Sequence, residues 1–342
     1  MAKAIAIGLV DSRKPSGSTR GKLSIDWLLE ATAYSRAERR RQAASSQPRC
    51  HKYKKLLSGQ TPLLLVRLLP LNAVALPSIH IDMTMADRTK PWVVMPLYYY
   101  PLDEATWKPL YDAAASYPDV NFLVVVNPNS GPGTEPLPGK DYVREVPRLN
   151  AFPNVHAVGY VRVDYCRKPL ADTCAEIDRY ARWRRHPDAP PGLHVEGIYV
   201  DETPNHYSPS AARYLDHVRR LVKASDGLAG KRSTVVHNPG TPPEGELASF
   251  GDPDLVCVCE EPYHLFQGDG LQRRLVDLAP EHERCVYQIS GVPQDELAAA
   301  VKDLCRRGRY VFATDLVDDF YESFGASWPG FVAAVSEAAS RG

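Results

Sequence analysis

The chain has 342 residues, 44% of them hydrophobic and 24% charged. With a mean hydropathy of −0.32 this is the profile of a soluble globular protein, not a fibrous or membrane-embedded one. Its 41 Lys and Arg match 41 Asp and Glu, which excludes a chain driven onto nucleic acid by overall charge. The balance is uneven, however: residues 1–90 carry 16 basic against 6 acidic side chains, which leaves 25 against 35 for the remainder.

Residues 1–60 contain Ser-, Arg- and Gly-rich runs (RKPSGSTRGK, SRAERRRQAASSQPR) in which only Ile25 to Tyr34 has a helical pattern. No aromatics interleave the basic run, so a solvated arm is expected, with no nucleic-acid partner. The most hydrophobic stretch is 62–77 (PLLLVRLLPLNAVALP), preceded by Arg49, Lys52, Lys54 and Lys55. Order and sign resemble a signal anchor, but Arg67 and Pro70 interrupt it, and it is shorter than the ~20 residues that span a bilayer. Weak membrane anchoring and a poorly ordered leader both remain open for it. No apolar segment follows Met1 closely, so no ordinary cleavable signal peptide is expected. Seven cysteines, an odd number without CxxC spacing, indicate neither a disulfide scaffold nor a zinc ribbon. Cys257 and Cys259, two apart in an apolar run, are expected on one strand face as buried thiols. Cys166 and Cys174 are candidates for a disulfide if the chain is exported.

From Trp92 onward, short apolar runs alternate with amphipathic stretches. The runs are 92–99, 121–127, 155–161, 195–201, 233–238, 254–260, 285–290 and 310–315, each rich in Val, Ile and aromatics and bounded by Pro, Gly, Asn or Asp. Such runs read as buried parallel strands. Helical periodicity covers Leu102 to Ser116 (Asp103 as N-cap), Ala171 to Arg185, Ser208 to Ala224, Asp295 to Arg307 and Trp328 to Ala339. Trp107 and Trp183 fall at core positions. Eight strands, each followed by a helix at about 31 residues per repeat, give the roughly 250 residues of a closed barrel. A doubly wound open sheet is the rival, but NSGPG (129–133) is neither a Walker loop nor a dinucleotide turn. The predicted fold is therefore a (β/α)8 TIM barrel of the α/β class over 91–342, with a poorly ordered basic N-terminal extension over 1–90.

In such a barrel the chemistry lies where the strands end. Those positions hold Tyr98, Asn127 and Asn129, Asp164 and Tyr165, Asp201 and Glu202, His237 and Asn238, Glu260 and Glu261, Gln288, and Asp315. Amides, carboxylates and tyrosines suit a polyhydroxylated ligand, since aromatic faces stack on sugar rings and amides bond hydroxyls. Strand alternation selects among them. Val256, Val258 and Glu260 share one face, which makes Glu260 inward-facing if the valines pack inside. Gly197, Tyr199 and Asp201 share another, with Gly197 leaving room beneath Asp201, and Glu202 reaches the mouth only if the backbone bends. Thr234, Val236 and Asn238 align, so His237 packs outward. Two carboxylates in one cleft are the minimum equipment for glycoside hydrolysis; the alternative is that they pair with Arg or cap helices. Asn127 either binds sugar or sets the turn at Pro128, and Tyr165 either binds sugar or packs. His206, His237, Asp201 and Glu260 have no HxH or HExxH spacing, and no metal or cofactor is expected.

The segments MPLYYYP (95–101), VVVNPNSGPG (124–133), VGYVRVDY (158–165), GIYVDETP (197–204), HNPG (237–240), CEEPY (259–263) and ATD (313–315) resemble spherulation-specific family 4 (spherulin-4-like) proteins, which include fungal glycoside hydrolases acting on galactosaminogalactan. The resemblance covers about residues 91–342. It implies a retaining, endo-acting hydrolase of α-1,4-linked N-acetylgalactosamine, in which Asp201 is the nucleophile, Glu260 the general acid/base, and Glu202 a supporting group. Tyr98, Asn127, Asn129, Tyr165, Asn238, Tyr263 and Asp315 follow as substrate-binding positions, with a polysaccharide as partner, no stable protein partner, and a secreted or cell-surface location. The alternative on the same barrel is a non-catalytic carbohydrate-binding or cell-wall structural protein. The sequence departs from the family pattern at Cys259, where an aromatic is usual, at Gln288, where a His is common, and at VDY (163–165) in place of Thr-x-Tyr.

Overall fold

The structure, a computed structural model, describes residues 90–228, 233–245 and 251–340; the expectations for the basic arm and for 62–77 lie outside them. Eight parallel strands close in sequence order into a barrel: β1 Trp92–Leu97, β2 Asn121–Val126, β3 Val155–Arg162, β4 Gly197–Asp201, β5 Thr234–Asn238, β6 Leu255–Pro262, β7 Cys285–Ser290 and β8 Tyr310–Ala313. Closure is made by β1 against β8, with Trp92 opposite Tyr310. The strands are Val-rich and buried on both faces, because one face fills the barrel and the other meets the helices.

The helices are α1 Lys108–Ser116, α2 Lys140–Leu149, α3 Leu170–Arg182, α4 Pro209–Ala224, α5 Asp269–Val276, α6 Leu297–Arg307 and α7 Trp328–Ser340, with a single turn at Tyr263–Phe266 before α5. The alternation is not strict: the described residues between β5 and β6 hold no helix. Helix α4 begins as its sequence indicates, with the Ser208 hydroxyl accepting from the Ala211 amide and Pro209 at the first position. Helix α1 begins later than expected. Asp103 caps a separate turn instead, accepting from the amides of Ala105 (3.0 Å) and Thr106 (2.9 Å). Hydrophobic periodicity does not reveal α2, because its buried face carries two acids, Asp141 and Glu145. They are satisfied by Tyr100, Tyr111, Arg144 and Arg148. Trp107 and Trp183 are fully buried.

Two register features place the site. Strand β6 contains a bulge: Cys257 pairs with Val286 and Cys259 with Tyr287, so Val258 is the extra residue. Strand β4 lies so close to β5 that a Cβ on Gly197 would sit 2.1 Å from the Thr234 carbonyl oxygen. Gly197 therefore admits the neighbouring backbone, and does not make room beneath Asp201. Gly197→Ala should separate β4 from β5 and destabilise the fold by about 3 kcal/mol, the upper range for overpacking. Chemical denaturation followed by circular dichroism measures this; an unchanged midpoint would show that the strands separate without cost.

Candidate functional site

The ends of β4, β5 and β6 meet at one side chain. Asn238 Oδ1 accepts from the Gly240 amide (2.9 Å), which fixes which way its carboxamide points. Its Nδ2 then has two hydrogens to donate, and it reaches Asp201 Oδ1 and Glu260 Oε2, each at 2.7 Å. Those two carboxylate oxygens therefore lie within twice that distance of each other. Main-chain bonds hold the three strand ends together: the Thr203 amide donates to the Asn238 carbonyl (3.0 Å), and the Glu260 amide to that of Gly240 (2.9 Å).

Tyrosines complete the cluster. Tyr160 on β3 donates to Asp201 Oδ2 at 2.6 Å, so both oxygens of Asp201 accept a hydrogen bond. The Tyr180 hydroxyl, from α3, reaches the Tyr160 carbonyl (3.0 Å) and fixes that residue from behind. Burial raises the Asp201 carboxyl above its ordinary value, opposed by the bonds from Tyr160 and Asn238. Tyr98 packs edge-on against Tyr160, with centroids 5.3 Å apart. Burial, and then the charges of Asp201 and Glu260, push its hydroxyl well up, so Tyr98 stays a protonated donor beside both acids.

Glu202 follows Asp201 with the backbone bend its position requires, φ +54°. Its carboxylate lies 3.3 Å from Arg162, the register partner of Asp201. Burial raises Glu202, the Arg162 charge opposes this, and the Asp201 charge adds to it.

The expected inward face of β6 is corrected by its bulge. Cys257 Sγ meets Gln288 Nε2 (3.2 Å), which also bonds Tyr199 Oη (2.8 Å), so Cys257 lines the barrel interior. Simple alternation would then turn Glu260 outward. The extra residue at 258 reverses the alternation, placing Cys259 outside and Glu260 inside. Val256, Val258 and Glu260 thus do not form one face, nor do Cys257 and Cys259. His237 packs outward as expected, 2% exposed, and burial followed by the Arg284 charge lowers its pKa to about 3.

The remaining expected positions make contacts of their own within the protein. Asn127 Oδ1 accepts from the Gly131 amide (3.0 Å), so its side chain sets the turn of the β2 loop, on which Asn129 is exposed. Tyr165 lies under the Arg167 guanidinium (5.2 Å). Tyr263 donates to Glu296 (3.0 Å). Asp315 accepts from Ser327 and Gln294, and these bonds outweigh burial to hold its carboxyl below the ordinary value. His206 pairs with Glu244 (2.8 Å), and among the described residues no three metal-ligating side chains cluster. Cys166 and Cys174 are free thiols. Sequence reasoning missed Tyr160 and Arg162. Reading β3 with the same alternation as β4 would have found both, because Tyr160 pairs with Tyr199 and Arg162 with Asp201. Tyr321, 5.0 Å from Tyr98, has no such local signal.

Fold and site together define a class: (β/α)8 barrels that hold a bridged pair of acids, ringed by tyrosines, at the carboxyl ends of the strands. Within that class the sequence is specific. The sequence model of spherulation-specific family 4 matches residues 92–335, nearly the whole barrel, and the chain belongs to that family. Spherulin-4 of Physarum polycephalum is 34% identical over 182 residues, 53% of this chain and 48% of the relative, so the chain spans about half the length of that curated relative. The crystal structure of Aspergillus clavatus Sph3 in complex with GalNAc is 34% identical with a TM-score of 0.67, covering 72% of this chain and 98% of that one.

The bridge has a titration consequence. In Asn238→Ala, Asp201 loses one of the donors that favour its ionised form, beside Tyr160, so its pKa should rise further. Carbon-13 titration of the Asp201 carboxyl measures the shift; a midpoint equal to that of the parent would refute a contribution of the bridge to its ionisation.

Proposed function

We propose that the protein is a retaining glycoside hydrolase cleaving within an α-1,4-linked N-acetylgalactosamine-containing polysaccharide. The observation that carries the proposal is the spacing of Asp201 and Glu260, whose bridged oxygens are within two 2.7 Å hydrogen bonds of each other. Retaining pairs stand about 5–5.5 Å apart, whereas inverting pairs leave roughly 6.5–9.5 Å for a water. The choice of sugar is supported by the likeness to Sph3, whose structure is a complex with GalNAc.

In this mechanism the Asp201 carboxylate attacks the anomeric carbon while Glu260 gives its proton to the departing glycosidic oxygen, and the C–O bond breaks. A water then enters on the same side. Glu260, now ionised, takes a proton from it as the oxygen bonds to the anomeric carbon, and the bond to Asp201 breaks. The geometry suits these roles. Asp201 accepts from Tyr160 and Asn238, both of which favour its ionised form, while Tyr98 offers a neutral donor beside both acids. Glu202, held by Arg162, supports the negative end of the site.

Asp201→Asn and Glu260→Gln should each lower release of reducing ends from α-1,4-linked N-acetylgalactosamine oligomers by about 10³-fold or more with the fold intact. Full activity in either variant removes that residue from the mechanism. Binding of the oligomers by the parent protein without any new reducing ends would instead favour a carbohydrate-binding structural protein.

A further inference from the structure

The segment joining β8 to α7 is a closed loop whose base is pinned. The Asp315 amide donates to Ser327 Oγ (2.9 Å), and the Ser327 amide donates back to Asp315 Oδ1 (3.2 Å). Gln294 Nε2 adds a bond to Asp315 Oδ2 at 3.3 Å. The returning chain passes the pin at Gly325, where φ is +69° and a Cβ would lie 2.6 Å from Asp315 Oδ1. A loop with joined ends and its own side-chain packing is an Ω-loop, a type often found at functional sites.

Two aromatics at its tip, Phe320 and Tyr321, pack on each other with ring centroids 3.7 Å apart, and each has a further neighbour. Phe320 stacks on Phe312 of β8, with centroids 6.3 Å apart and planes inclined by 27°, and so anchors the loop to the barrel. Tyr321 lies against Tyr98 at 5.0 Å, tilted by 41°. Tyr98 touches Tyr160 at 5.3 Å, and Tyr160 bonds Asp201 at 2.6 Å. A continuous line of three tyrosines thus runs from the loop tip to a carboxylate of the pair, and Tyr321 is its half-buried outer member. Purely structural packing of Phe320 would suffice to hold the loop. Tyr321 adds a second large ring, half-buried like Phe320, at the outer end of the line of tyrosines that leads to Asp201.

We infer that Tyr321 is a substrate-binding residue: its ring is a platform on which one sugar ring of the polymer packs, beside the linkage held between Asp201 and Glu260. The inference rests on the reading of the mouth as a site for an amino-sugar polymer. The apolar C–H face of a hexosamine matches an aromatic face, and the hydroxyl at the ring's edge remains in water. Pinning the loop through Asp315 and Ser327 orders the platform before substrate arrives, so binding does not have to supply that ordering. This also gives Asp315 its place: it holds the loop and does not itself meet the sugar.

The test uses the full chain with α-1,4-linked N-acetylgalactosamine oligomers of defined length. Tyr321→Ala should raise KM about tenfold while kcat stays within about twofold, and Tyr321→Phe should restore KM, since the ring and not the hydroxyl makes the contact. The same loss should appear by calorimetry as weaker oligomer binding in the Glu260→Gln background. Unchanged KM and binding in Tyr321→Ala overturn the inference. So does a fall in kcat that Tyr321→Phe fails to rescue, because that assigns the hydroxyl a part in the chemistry. A parent protein that binds oligomers without cleaving them sinks the hydrolase reading alone, and weaker binding by Tyr321→Ala still supports the platform. A parent that neither binds nor cleaves overturns both.

Discussion

Two carboxyl groups half removed from water and set side by side repel each other, and each loses hydration. The Asn238 carboxamide makes the arrangement tenable. One nitrogen supplies a hydrogen to each acid, and its oxygen is tied to the Gly240 amide so that the nitrogen cannot turn away. Three strand ends are organised around this one residue. Its main-chain carbonyl accepts from the Thr203 amide after β4, and the carbonyl of Gly240 accepts from the amide of Glu260 on β6. The short β5 strand therefore acts less as a wall of the barrel than as the element that sets the separation of the acids on either side.

Beneath the pair, the barrel is filled, as small closed barrels are. Gln288 Nε2 bonds both Tyr199 and Cys257 across the interior, and Tyr199 stacks under Tyr160 at 6.5 Å. Gln288 is 1% exposed and Tyr199 and Cys257 are fully buried, so this polar layer is sealed from solvent and forms a floor. The bulge in β6 reconciles floor and mouth. It lets Cys257 belong to the floor and Glu260 to the mouth, three residues apart, where an unbroken strand would send them to opposite faces. Cys259 and Gln288 fall on this same strand pair. Cys259 lies outside the barrel and Gln288 within the floor, so neither touches the acids directly.

Backbone strain concentrates where β3 and β4 end. Asp164, Tyr165, Cys166 and Glu202 all have positive φ without being glycine, a conformation that costs of order 1 kcal/mol or more for each residue. These residues are joined across the two strands: the Val163 amide donates to the Asp201 carbonyl (3.0 Å) and the Tyr165 amide to that of Glu202 (2.7 Å). The loop after β3 thus grips the backbone of both acids. Bending the chain at Glu202 turns its carboxylate toward Arg162, away from the position that β-alternation alone would give it. Tyr98, which packs on both Tyr160 and Tyr321, links this region to β1 and to the last loop.

The sequence by itself determined the eight strands, the closed barrel, and the placement of Asp201 and Asn238 at the mouth with His237 outside. Each of these follows from a local property, the two-residue alternation of buried strands and their Val-rich runs, which the surroundings do not alter. Glu260 was legible for the wrong reason, because the bulge that turns it inward depends on pairing with β7, and pairing is not written in β6 alone. Only the tertiary structure decided which of the strand-end residues are available. Asn127 Oδ1 and Asp315 Oδ1 each accept from a loop amide, and those amides come from how each loop folds back. It also supplied Tyr321, whose position depends on the return of the last loop to β1, whereas Tyr160 was within reach of the alternation rule and was missed. Alternation tells which way a side chain leaves its strand; what it then meets is fixed by elements remote in the chain, and only folding brings those together.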